Sequence, residues 1–100
     1  MTVRVDPEGH ETDALFDFVE LEGREVLEIG CGDGRLTWRY ADRAAHVTAI
    51  DPFEDAIERA NERLRSTDLP IDFRHVAFEA FAAASDADEF DVGLLSWSLC

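Results

Sequence analysis

A chain of 100 residues with 46% apolar residues suffices for one small domain with a real core. Its 23 acidic and nine basic residues, every basic one an arginine, give a formal charge of −14. This excludes a basic patch for nucleic acid and makes the surface repel itself until salt screens it.

There is no apolar run of about 18 residues, so no membrane span is expected. The opening M-T-V-R-V-D-P-E-G-H lacks the apolar centre of a signal peptide, so a cytoplasmic location is expected. Cys31 and Cys100 make no disulfide framework. With His10, His46 and His75 they show no paired metal-ligand spacing, so no metal is expected.

In chain order, Glu11 to Leu21 reads as a helix, with Leu15, Phe16 and Val19 on an apolar stripe, Thr12 as cap and Gly23 as the stop. Glu25 to Ile29 is a first strand, running into glycines at alternate positions, Gly30, Gly32 and Gly34. A helix over 35–43 follows, turning Leu36, Tyr40 and Ala44 inward. His46 to Ile50 is a second strand. The clearest helix spans Phe53 to Arg65, with Phe53, Ile57, Ala60 and Leu64 at helical spacing. A turn at 66–70 leads to a third strand, Ile71 to Val76, and a short helix, Glu79 to Ala84. Phe90 to Ser96 is a fourth strand, apolar enough to be buried on both faces. No repeat or low-complexity segment interrupts the series.

Strands alternating with helices predict an α/β fold, a parallel sheet with right-handed crossovers. Ligands of such sheets bind beyond the carboxyl ends of the strands. The glycine loop, Asp51, the 77–79 segment and Ser96 all fall at those ends, so four separate segments converge on one crevice.

The most informative run is V-L-E-I-G-C-G-D-G-R-L, from Val26 to Leu36. Three glycines after a strand let the backbone turn sharply and let a ligand approach the main chain. The helix that opens next offers N–H groups without intrahelical acceptors. A dinucleotide loop would be G-x-G-x-x-G, but the third glycine of that pattern falls on Arg35. Glu28 and Asp33 also make the loop acidic, a poor setting for a pyrophosphate and a good one for a cofactor carrying an ammonium and a sulfonium. The bland alternative is a tight strand-to-helix turn without a ligand. With Glu28, Gly30, Gly32 and Gly34 in place, the run resembles motif I of the class I S-adenosylmethionine-dependent methyltransferases, E/D-x-G-x-G-x-G. Cys31 is then a small neighbour of the cofactor.

The second strand ends at Asp51, about 20 residues past the loop, where an acidic residue is expected to hold a ribose. Asp51-Pro52-Phe53-Glu54 also reads as a helix start, with Asp51 as N-cap and Pro52 at the first helical position. The two roles are compatible, since a carboxylate has two oxygens. Pro52 and Phe53 would lie near the adenine, while Phe53 also fits the helix core.

The resemblance implies further site residues. The family commonly has an aspartate after its third strand to read the adenine amino group, but Ala77 stands there. Glu79 or the Phe78 backbone N–H would have to serve instead, and Glu79 reads equally well as an ordinary helix-start carboxylate. The fourth strand, F-D-V-G-L-L-S-W-S-L, resembles motif IV without the N-P-P-Y-type sequence of enzymes acting on amide or base nitrogens. Ser96 would touch the cofactor; Trp97 would wall the substrate side or pack as a core or lid aromatic. His10 is either an active-site cover or a surface histidine. No catalytic residue is assigned.

The resemblance implies a Rossmann-like sheet of order 3-2-1-4, strands 1 to 4 of a seven-stranded 3-2-1-4-5-7-6 fold, cut after strand 4. Residues 1–100 then form one partial S-adenosylmethionine-binding domain, with 1–24 as its N-terminal helical segment. Strand 4 would be left as an exposed apolar edge, implying a homodimer or a partner chain. The expected activity is methyl transfer from S-adenosylmethionine to a small-molecule acceptor. The rival is a non-catalytic module acting through a partner, and a weaker third reading is a nicotinamide-dependent reductase, disfavoured by Arg35 and Glu28. The acidic, lysine-free composition resembles proteins of salt-accumulating microbes; an acidic protein from a GC-rich genome accounts for it as well.

Overall fold

A computed structural model describes residues 2–6, 21–84 and 89–96. His10, Trp97, Cys100 and all of the expected helix Glu11–Leu21 except Leu21 lie outside the described residues. The elements are β1 (Thr2–Asp6), β2 (Glu25–Ile29), α1 (Thr37–Tyr40), β3 (His46–Asp51), α2 (Glu54–Leu64), β4 (Ile71–His75), α3 (Phe78–Ala84) and β5 (Val92–Ser96).

The strands build one parallel sheet in the order β1-β5-β2-β3-β4. The four strands expected from the sequence are β2, β3, β4 and β5, and they stand in the expected 3-2-1-4 order. β1 was not expected. It runs parallel to β5 from Thr2 opposite Val92 to Asp6 opposite Ser96. The edge of β5 expected to be exposed is therefore paired within the chain. A strand added there satisfies backbone N–H and C=O groups that an open edge would leave to other chains, so β5 needs no partner chain to complete its ladder.

Strand periodicity divides the core between two faces. Val26, Val47, Ala49, Phe73 and Leu94 point to one face, where they pack with Leu36, Tyr40, Ile57 and Ala60 from the α1 region and α2. Leu27 and Ile50, their alternates, point to the other face and meet Phe81 of α3 and Phe90. Among the described residues, no helix is long and apolar enough to cross a membrane.

Of the boundaries that differ from expectation, three have local reasons. The helix over 35–43 shrinks to α1, because Gly34 at φ 90° is not helical. The flanking turns are tight, with Arg39 N–H donating to Leu36 O and Arg43 N–H to Tyr40 O, both at 2.9 Å. β5 begins at Val92, since Asp91 instead clamps the start of β2: its N–H reaches Glu25 O at 2.8 Å and its carboxylate accepts from Glu25 N–H at 2.9 Å. Finally, α2 begins at Glu54 with Phe53 as its cap residue. Asp51 is not the N-cap; it completes β3, where it pairs with His75.

Candidate functional site

The site is built where β2 and β3 end side by side. Gly30, Gly32 and Gly34 have φ of 79°, 59° and 90°, a region in which a side chain is strained. This winding folds the loop back onto β3. Gly30 N–H and Cys31 N–H both donate to Ile50 O, at 2.9 and 3.1 Å. Gly32 N–H donates to Asp51 Oδ2 at 2.9 Å, and Gly34 N–H to Cys31 O at 3.0 Å. Four of the loop's amides, those of Gly30, Cys31, Gly32 and Gly34, are thus engaged within the protein.

Asp51 joins the loop to the following turn. It is 4% exposed, and its second oxygen accepts from Phe53 N–H at 2.8 Å, the local turn an aspartate favours. Each carboxylate oxygen has a second lone pair, so hydroxyls of a ligand can add to the bonds already made. Pro52 is exposed, and its carbonyl accepts from His75 Nε2–H at 3.0 Å. His75 thereby ties the turn to the end of β4.

Glu28 lies beneath the loop with no exposed surface. Its Oε1 accepts from Thr37 Oγ1–H at 2.7 Å and Tyr40 O–H at 2.6 Å. Thr37 and Tyr40 are three apart, so one helix face carries both donors. The sequence reading missed this pairing because a tyrosine on an apolar face passes for core. Burial first, and then the Glu28 charge, push the Tyr40 phenol well above its ordinary range.

Cys31 faces the core. Its side chain is fully buried in the larger core cluster, while its backbone belongs to the glycine loop. Burial, followed by the charges of Glu28 and Asp51, pushes its thiol far up, leaving it unreactive. Gly34 is set by packing: a Cβ there would stand 2.9 Å from Trp38 Nε1 and 3.0 Å from Phe73 Cζ. Trp38 and Phe73 were both overlooked in the sequence.

Around this anchored floor lies an exposed rim. Phe53 is 70% exposed and Phe78 is 47% exposed, the two large apolar side chains standing out to solvent among the described residues. Phe53 therefore does not join the α2 core, whose buried positions are Ala56, Ile57 and Ala60. Phe78 opens α3, so its N–H belongs to the first turn and has no intrahelical acceptor; Glu79 beside it is exposed. Ser96 ends β5 opposite Asp6, at the same end of the sheet. Among the described residues, no group of three His, Cys, Asp or Glu could hold a metal ion.

Residues 26–100 match a family model described as a methyltransferase domain. The chain is 40% identical over 76 residues to a ubiquinone biosynthesis O-methyltransferase of Stutzerimonas stutzeri, covering 76% of this chain and 32% of that protein. It is also 40% identical over 88 residues to the protein of the same name from Aromatoleum aromaticum, covering 83% and 37%. The chain thus spans about a third of the length of the curated relatives it matches. Phosphoethanolamine N-methyltransferase 1 of Haemonchus contortus, solved with phosphoethanolamine and S-adenosylhomocysteine, superposes with a TM-score of 0.64 at 28% identity, over 77% of this chain and 16% of that one.

Proposed function

The chain belongs to the methyltransferase-domain family, and on that premise we propose that it is the cofactor-binding part of an S-adenosylmethionine-dependent methyltransferase acting on a small molecule. One observation carries this reading. The N–H groups of Gly30, Cys31, Gly32 and Gly34 are spent on Ile50, Asp51 and Cys31, so these four do not cradle a pyrophosphate. Glu28, Asp33 and Asp51 meanwhile surround it with carboxylates, the setting a cationic amino-acid cofactor requires. The superposed structure that carries S-adenosylhomocysteine supports the same class of ligand.

When bound, S-adenosylmethionine supplies an electrophilic methyl group on a sulfonium. The chain's own residues bind and orient. In this reading the backbone of Gly30 to Gly34 receives the amino-acid end, and Asp51 adds ribose hydroxyls to its two existing bonds. Phe53, Pro52 and Phe78 flank the adenine and exclude water from it, while Phe78 N–H or Glu79 meets the ring edge and Ser96 closes the far side. Glu28 acts from below the loop through its charge. Rate enhancement would come mainly from alignment of acceptor and methyl. Relatives named for ubiquinone biosynthesis and the bound phosphoethanolamine of the superposed structure support a small-molecule acceptor. The charge of −14 disfavours nucleic acid.

Calorimetric titration in molar KCl tests the reading. Saturable binding of S-adenosylmethionine and S-adenosylhomocysteine, without binding of NAD, is expected. A folded chain that binds neither would overturn it in favour of a non-catalytic module acting through a partner.

A further inference from the structure

Trp38 holds the second half of the glycine loop. Its indole N–H donates to Asp33 O at 3.3 Å. Its ring lies 5.3 Å from the Phe73 ring, tilted by 56°, and the Arg63 guanidinium stands 4.6 Å from its centroid. Phe73 belongs to β4 and Arg63 to the last turn of α2, so the indole is fixed by elements remote from the loop in sequence. The ring also fills the space beside Gly34, where a Cβ would fall 2.9 Å from Nε1 and 3.1 Å from Cε2. The helix bearing Trp38 has only four residues, too few to be rigid unaided. An aromatic pair and a cation over the indole face supply the missing rigidity.

We propose that Trp38 is the positioning residue of the glycine loop, fixing the backbone at Asp33 and Gly34 and through it the affinity for the cofactor. The second half of this inference rests on reading the loop as a cofactor site; the first half does not. Asp51 and Ile50 hold the front of the loop, Gly30 to Gly32, from β3. Trp38 holds its back, Asp33 and Gly34, from α2 and β4. The conformation of the loop is therefore set jointly by β3, through backbone and Asp51, and by β4 and α2, through Trp38.

Trp38→Phe is the decisive variant, because it keeps a ring against Phe73 and beneath Arg63 while removing the N–H. Amide hydrogen exchange in the ligand-free protein reads the loop directly through Gly30, Cys31, Gly32 and Gly34, all hydrogen-bonded. Exchange at these amides is expected to rise by about threefold to tenfold, the range for one net hydrogen bond, with the β2 and β3 ladders unchanged. The S-adenosylhomocysteine dissociation constant should rise by a similar factor. Arg63→Gln, which keeps the N–H, should loosen the loop less. Unchanged loop exchange in Trp38→Phe, or exchange that rises equally in the strands, would overturn the assignment and leave Trp38 a core residue. A looser loop with unaltered affinity would overturn the link to the cofactor. Failure of the wild type to bind S-adenosylhomocysteine would sink the functional reading, and the exchange comparison would still decide whether Trp38 holds the loop.

Discussion

At the ends of β2 and β3 the chain faces inward: the Gly30, Cys31 and Gly32 amides bond to β3, Asp51 uses both oxygens on backbone N–H groups, and Glu28 holds two hydroxyls below them. At the starts of α2 and α3 it faces outward, with Phe53 and Phe78 standing in solvent. The first region is preorganised, so a ligand meets a backbone already in place. The second keeps apolar surface exposed that a planar ring could cover. Under the proposed function, the contrast separates positions that serve the fold and the ligand together from positions that serve the ligand alone.

Substitutions test that separation. The heaviest loss is expected from Asp51→Ala, which leaves the N–H groups of Gly32 and Phe53 without acceptors. Denaturant titration should show about 3 kcal/mol of destabilisation, and calorimetry a loss of S-adenosylhomocysteine affinity of about a hundredfold. Asp51→Asn should also destabilise, since its NH2 would face one of those two donors. Gly34→Ala comes next, at about 2 kcal/mol, from a left-handed φ and a clash with Trp38 and Phe73; a lowered thermal midpoint would register it.

Tyr40→Phe should cost about 1 to 2 kcal/mol through the lost bond to Glu28. Tyr40 is the single tyrosine of the chain, so tyrosinate absorbance reports it alone. Its folded pKa is raised above the ordinary 10.0, which makes the neutral phenol the form that folding favours. That contribution is intact below about pH 10 and is lost as pH rises beyond it. Absorbance should therefore appear only with alkaline unfolding, and a phenol titrating in the folded chain near its ordinary value would contradict the buried Glu28 pair. Smallest for the fold are Phe53→Ala and Phe78→Ala. Each should leave stability within about 0.5 kcal/mol and weaken S-adenosylhomocysteine binding about fivefold. If either destabilised the fold as much as Tyr40→Phe, the distinction between anchored floor and exposed rim would fail.

Much of this arrangement could be read from the residues alone. The 3-2-1-4 core of the sheet followed from alternating strand and helix patterns and from the resemblance carried by Glu28, Gly30, Gly32 and Gly34. The place of the site followed because parallel sheets leave their carboxyl ends open. Local signals fixed these features: a glycine run forces a turn, and an apolar strand must be covered on both faces.

Contacts between distant segments decided the rest. Nothing in Thr2–Asp6 names β5 as its neighbour, because strand pairing is a non-local choice. Asp51 looked like a helix cap, yet Gly32, 19 residues earlier, claims one oxygen and the sheet keeps the residue extended. The glycine pattern did not show that the Cys31 side chain turns into the core. Gly34 reads as a motif glycine, and the room beside it is taken by Trp38 and Phe73, which meet only once β4 is laid beside β3. Sequence patterns record the local dihedral and periodic demands of the chain. Which side chains share a volume is a property of the closed fold, and that sharing settled the work of Asp51, Cys31, Gly34 and Trp38.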